Sequence, residues 1–169
     1  DLDLSGSQFT GVSDYESELS QVGTSAIHLN NARIGGKLDL SSTARSRFTA
    51  ASTIRLEGAR IDGDVSFAGA SLDGAGDAAL SARSIMVGGN VDLGSASGYR
   101  CEVRGEVALA AAQITGDLRC AGARLENPGG RALHCEDLRV ESVFLTSGDE
   151  GSLPFEARGR LNFLTAVIG

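Results

Sequence analysis

The sequence predicts an all-β fold: a right-handed parallel β-helix (β-solenoid) of about six to seven coils. Three observations predict it. The first is an internal repeat that aligns without gaps: IHLNNARIGGKLDL from Ile27, IRLEGARIDGDVSF from Ile54, LSARSIMVGGNVDL from Leu80, VALAAAQITGDLRC from Val107, LHCEDLRVESVFLT from Leu133 and LNFLTAVIG from Leu161. The copies start 27, 26, 27, 26 and 28 residues apart, mostly 26–27 per coil. A near-constant period of this length marks a solenoid, propeller or array. The second observation is apolar–polar alternation at period two inside each copy, with no competing helical period. The third is a glycine that returns at one fixed place.

The alignment columns justify each element. The first position reads Ile27, Ile54, Leu80, Val107, Leu133, Leu161, and the third Leu29, Leu56, Ala82, Leu109, Cys135, Phe163. The sixth is Ala32, Ala59, Ile85, Ala112, Leu138, Ala166, and the eighth is always β-branched: Ile34, Ile61, Val87, Ile114, Val140, Ile168. The twelfth is Leu38, Val65, Val91, Leu118, Phe144. These columns predict strands of two to four residues with Ile54, Ile61, Val65, Val107, Ile114 and Leu118 facing inward. The tenth column reads Gly36, Gly63, Gly89, Gly116, then Ser142, a bend where a side chain or an ordinary φ would be costly.

Strands this short and this evenly spaced do not pair as hairpins. They stack on the same strand of the next copy, about 4.8 Å away, and β-crossovers favour right-handed winding. A second period overlies the first. Ala26, Ala79 and Ala132 lie 53 residues apart, each just before a copy, whereas the alternate copies follow Ser52-Thr53, Gly105-Glu106 and Gly159-Arg160. Two kinds of coil therefore alternate.

The edges are informative too. Leu2 and Leu4 match the twelfth and fourteenth columns of a coil already under way, and the last copy stops partway. The expectation is one solenoid domain over 1–169, a fragment of a longer repeat protein or a subunit that stacks end to end. Residues 10–25 form an acidic insertion, and 146–154 (TSGDEGSLP within it) an exposed loop.

The run GEVALAAAQITGDLRCAGARLENPGGRALHCEDLRVESVFL (105–145) resembles actinobacterial repeat proteins often labelled membrane-associated oxidoreductases. The GARLENPGGRAL stretch is its most specific part. ARIDG (59–63) and ASLDG (70–74) also resemble pentapeptide-repeat proteins, which implies a four-sided right-handed β-helix, and DNA mimicry toward topoisomerase as one function. The longer links here depart from a strict five-residue count. The oxidoreductase label implies a cofactor site, and a membrane association that would run through other parts of the chain.

Composition narrows the partners. The 169 residues include 23 Gly, 2 Pro and no Trp, with 41% hydrophobic residues. That hydrophobic content argues against disorder, the glycines have no three-residue period, and no window reaches the roughly 20 apolar residues of a membrane span. Net charge is −7. Residues 1–32 carry five acids and no Lys or Arg; the rest is nearly balanced, with Lys37 the single lysine. An acidic, mixed surface is a poor footprint for nucleic acid, so none is expected as a partner. Three cysteines without a CxxC pair argue against a secreted disulfide framework and for a cytoplasmic location.

The residues that could carry chemistry fall into packing roles. Gly88-Gly89 and Gly129-Gly130 follow the coil and form no GxGxxG after a strand, so they read as corners and not a cofactor cradle. His28 and His134 share the outward second column, four coils or roughly 19 Å apart, too far to share a metal. His134 reads as solvated, and Cys135 as buried in a core column. Cys120 also takes a core slot, leaving Cys101 as the exposed thiol, with no base beside it. Asp62 and Asp64 offer paired carboxylates for glycoside hydrolysis, but no aromatic sugar platform accompanies them.

The expectation is therefore no enzyme and no catalytic, cofactor or metal residues. The chain reads as a structural or protein-interaction scaffold, with a protein partner or self-association through the solenoid ends. Its candidate binding face is Arg33, Arg60 and Arg139 of the seventh column, with Arg55 one strand earlier.

Overall fold

The computed structural model describes residues 1–9, 25–148 and 153–169. Among these there is no helix, and the chain winds as a parallel β-solenoid of about five turns. The count falls below six to seven because the partial copies at the two ends do not complete a coil.

Three sheets form its walls. Leu2–Asp3, Leu38–Asp39, Val65–Ser66, Val91–Asp92, Asp117–Arg119 and Ser142–Phe144 make the first sheet. Arg33–Ile34, Arg60–Ile61, Met86–Val87, Gln113–Ile114, Arg139–Val140 and Val167–Ile168 make the third. The second holds Gln8–Phe9, Ser25–His28, Thr49–Ala50, Thr53–Arg55, Ser71–Ser81, Glu102–Ala108, Arg124–His134 and Glu156–Asn162. The register is the sequence alignment itself: Ile34 pairs Ile61, Leu38 pairs Val65, and Leu80 pairs Ile54 on one side and Val107 on the other.

Alternation sends every second side chain inward. Ile54, Ile61, Val65, Val107, Ile114 and Leu118 are all buried, as the columns predict. They continue into a single core with Phe48, Phe67, Leu93 and Leu125. Stacked identical columns of this kind remove apolar surface at roughly 25 cal/mol per Å².

The corners sort into two kinds, and one expectation needs correcting. The left-handed residue of each coil is in the fifth column: Asn31, Gly58, Ser84, Ala111, Asp137 and Thr165 all have φ between 55° and 64°. Each sits third in a turn closed from the third column to the sixth, as in Ala59 N–H to Leu56 C=O at 3.1 Å and Ala112 N–H to Leu109 C=O at 3.1 Å. Positive φ at that place is the type II signature. The tenth-column glycines do not have positive φ. They are small because successive backbones touch there: a Cβ on Gly116 would lie 3.0 Å from the Gly89 carbonyl oxygen, and one on Gly63 3.0 Å from Lys37 N.

The 53-residue period has a structural cause. Strands longer than the expected two to four residues occur in the second sheet, where Ser71–Ser81 and Arg124–His134 have 11 residues. Their neighbours Glu102–Ala108 and Glu156–Asn162 have 7. Asp73 pairs Arg104 and Ala78 pairs Glu106, so residues 74–77 of the long strand bulge opposite Gly105 alone. Residues 127–130 bulge opposite Gly159 in the same way. Pairing persists on both sides of each bulge, which is why the strands are long. Gly105 (φ 121°) and Gly159 (φ 136°) make room: a Cβ would lie 2.5 Å from Asp77 O in the first and 2.6 Å from Asn127 O in the second.

Of the 10–25 insertion, residues 10–24 lie outside the described residues, and Ser25 opens a strand. In the 146–154 stretch, 149–152 lie outside them, and the flanking residues 146–148 and 153–154 are not in strands.

Candidate functional site

The solenoid turns each alignment column into a ladder, and the seventh column runs along the outside of the third sheet. Arg33 and Arg60 are neighbours there and both exposed. Met86 and Gln113 occupy the next two rungs, then Arg139, and Val167 on the last. Arg60 and Arg139 are thus three rungs apart, roughly 14 Å. Arg60 is paired with Asp62 at 3.1 Å. Arg55 belongs to the second sheet, between His28 and Ser81. The structure brings Arg33 and Arg60 together, sets Arg139 further along the same wall and puts Arg55 on another.

One dense set of polar side chains among the described residues has no counterpart in the sequence expectations. On the second sheet, Glu106 Oε1 lies 3.0 Å from His134 Nδ1, and Glu136 Oε2 lies 3.2 Å from His134 Nε2. Arg131 and Arg83 reach Glu106 at 3.4 and 3.6 Å, Arg83 also reaches Glu57, and Glu57 accepts a short hydrogen bond from the Ser81 hydroxyl. Asn30 extends the chain of contacts to Glu57 at 3.3 Å. The seam therefore links five successive coils. It corrects the expectation of a solvated His134, which is only 7% exposed. The second column does point outward, as His28 shows by being exposed, but carboxylates one coil back and two residues on close over His134. Its members are paired chiefly with one another.

Cys101 is the second correction: it is buried, like Cys120 and Cys135. Burial pushes the Cys101 and Cys135 thiols up to about 12 and the Cys120 thiol well above its ordinary range. Cys101 follows Phe48 by 53 residues and fills the same slot, a signal the second period carried. Burial of this kind makes the thiols poor nucleophiles at neutral pH. Among the described residues no group of three His, Cys, Asp or Glu is placed to hold a metal ion.

The remaining candidates are accounted for by the coil. Asp62 is held by Arg60, while Asp64 accepts from the Asn90 amide at 2.7 Å, around a corner on the way to the first sheet. Gly88 and Gly89 spend their N–H groups on Ile61 and Gly63 of the previous coil, so no amide is left to cradle a phosphate. The outside of the first sheet carries Asp3, Asp39, Ser66, Asp92 and Arg119 on successive rungs. At Asp39 burial pushes the carboxyl up, but hydrogen bonds from Ser41 and Lys37 outweigh it and the net shift is down. At Asp92 burial wins and the shift is up. Beside Asp92 an open groove of about 630 Å³ is lined by Ser95, Tyr99, Arg119, Ala121 and Leu153 among others.

The chain matches no known family, no curated protein and no solved structure. Among the described residues no helix is long and apolar enough to cross a membrane.

Proposed function

We propose that this chain is a non-catalytic scaffold, a repeat module that offers its walls and ends to other proteins and acts in a reducing, cytoplasmic setting. The observation that carries the reading is saturation. The polar cluster around Glu106 and His134 is internally paired. All three thiols are free and buried, which suits a reducing compartment. What remains is extended, regular wall, the surface solenoids use for binding. Arg33 and Arg60, adjacent on the third sheet, are the contact residues we assign to a protein partner, with Arg139 further along it and Arg55 around the corner.

A second reading has one observation in its favour. The carboxylates Asp3, Asp39 and Asp92 recur along the first sheet, the kind of acidic track a DNA mimic acting on topoisomerase would display. Arg119 and Lys37 interrupt it, the latter paired with Asp39 at 3.0 Å, which favours the scaffold. The oxidoreductase activity implied by resemblance would need a cofactor, which the absorbance spectrum below would detect.

The experiment joins three readouts on the purified chain. An absorbance spectrum with metal analysis and a gyrase supercoiling assay are both expected to be blank. In-cell crosslinking with mass spectrometry is expected to capture a protein that Arg33→Glu and Arg60→Glu together release. Bound flavin or metal would replace this reading with the enzyme, and gyrase inhibition would replace it with the mimic.

A further inference from the structure

We propose that His134 is a pH-operated clasp on the solenoid wall. While both ring nitrogens carry protons, it ties Glu106 of the preceding coil to Glu136 of its own; when one proton leaves, it lets Glu136 go. The clasp operates whatever the wall binds, so it does not rest on the scaffold reading.

Both ring nitrogens face carboxylate oxygens: Nδ1 lies 3.0 Å from Glu106 Oε1, and Nε2 lies 3.2 Å from Glu136 Oε2. A neutral imidazole has one N–H donor and one lone pair, and an ionised carboxylate only accepts. A neutral ring between two carboxylates therefore turns a lone pair toward an acceptor on one side. Both contacts are satisfied when the ring carries two protons, or when one carboxyl is protonated. Glu106 does not suit the second case. Arg131 donates from Nε to its Oε2 at 3.4 Å and Arg83 Nη2 stands 3.6 Å from its Oε1, so both oxygens serve as acceptors. Glu136, with 40% of its side chain exposed, is open to water, which solvates the carboxylate. The second proton therefore belongs on the ring.

Among the described residues the ring makes no third ion pair. Its rung neighbours, Ala108 on Glu102–Ala108 and Asn162 on Glu156–Asn162, are uncharged. On the first of these strands Glu102 and Arg104 pair with Arg47 and Asp73. On the second, Glu156 is taken by Arg100 and Arg124, Arg158 by Glu126, and Arg160 shares the rung of Arg131. Past Glu136, Asp137 accepts from the Thr165 hydroxyl at 2.5 Å. Arg131 and Arg83 oppose a charged ring, but they meet it only through Glu106, whereas the two carboxylates touch it directly.

Loss of one proton acts unequally on the two sides. The Glu106 side chain is 15% exposed and held by arginines, so a neutral ring keeps its Nδ1–H on that carboxylate. Nε2 then carries the lone pair, and the more exposed Glu136 turns to solvent. The wall gains an uncompensated carboxylate beside the exposed Asp137. Imidazole is the side chain suited to make such a change near neutral pH. The Glu136 contact exists only while the ring holds its second proton, so its stabilisation is full with the ring charged and is lost as pH rises.

The test is nitrogen-15 NMR of the imidazole rings in the full 169-residue chain, which has two histidines, with His28→Gln assigning the signals. At pH 7 both nitrogens of His134 are expected at the shifts of an imidazolium, and at pH 10 only Nδ1 is expected to keep its proton. Glu136→Gln, whose amide can face a ring lone pair, is expected to make the second proton leave at lower pH. The same variant is expected to melt below the unaltered chain at pH 7, a deficit that closes by pH 10. A His134 ring with a single proton at pH 7 would overturn the clasp. So would a proton kept on Nε2 at pH 10, or a ring profile that Glu136→Gln leaves unchanged. Should Glu136→Gln lose its β spectrum in circular dichroism, Glu136→Asp withdraws the carboxylate from Nε2 and is read in the same way.

Discussion

Arg47 donates from Nη2 to the carbonyl of Arg100 at 2.8 Å, and Arg100 repeats the contact on Pro154 at the same distance. The two arginines stand 53 residues apart. Each also gives its Nε to a glycine carbonyl one coil on, Gly69 or Gly122, and pairs with a glutamate two coils on, Glu102 or Glu156. One side chain thus ties three successive coils, and the double-coil period is the spacing at which such a tie is needed.

Arg100→Ala is expected to destabilise the protein by about 1.5–3 kcal/mol, the range for hydrogen bonds to a charged group. The Arg100 side chain is only 12% exposed, so water does not readily replace it. Chemical denaturation with urea measures the loss. Arg158→Ala, on an exposed side chain, is the control and should change little.

Gly105→Ala is expected to cost about 1–3 kcal/mol through backbone strain, with the clash against Asp77 O adding to it. Gly76→Ala, at φ 94° but with open space around it, tests conformation without the clash. Thermal melts of the two variants should therefore differ, Gly105→Ala melting lower. Equal melting temperatures would mean that the bulge over Gly105 tolerates a side chain.

The thiols give a direct reading of burial. Because Cys101, Cys120 and Cys135 are enclosed and resist ionisation, a thiol reagent at pH 8 should label none of them in the native protein. All three should react in guanidinium. Fast native labelling of Cys101 would restore it as a surface thiol.

Asp92 sets a pH dependence. Burial raises its carboxyl above the ordinary range, against the Gly94 amide and Arg119. A carboxyl raised on folding costs nothing below its unfolded titration and costs stability once pH has risen through the folded one. Asp92→Asn should therefore raise the melting temperature at pH 7, with the gain fading as pH falls below the carboxylate range. A destabilised variant at pH 7 would show that the charge is wanted there.

The register, the core and the solenoid class were legible because side chains such as Ile34, Ile61 and Val87 stack in the same column in every coil. The corner conformation was less so. Asn31, Ser84, Ala111 and Thr165 share a left-handed φ without sharing a residue type, since the turn is imposed by coil closure rather than by glycine. Burial outside the repeat was read poorly for a related reason. Cys101 lies in a link of its own coil, and its core slot shows only against Phe48, one double coil earlier. The Glu106–His134 contact spans 28 residues, so it emerges only when the outward columns are read across coils as well as along them.

Residues one repeat apart are one rung apart along a single axis. Pulsed electron spin resonance tests it most directly, with spin labels at Arg33 and Arg139 or at Arg33 and Val167, diluted with unlabelled chain. Backbone separations of about 19 Å for the first pair and about 24 Å for the second are expected, four and five rungs of about 4.8 Å. Distances that fail to lengthen from the first pair to the second would contradict it.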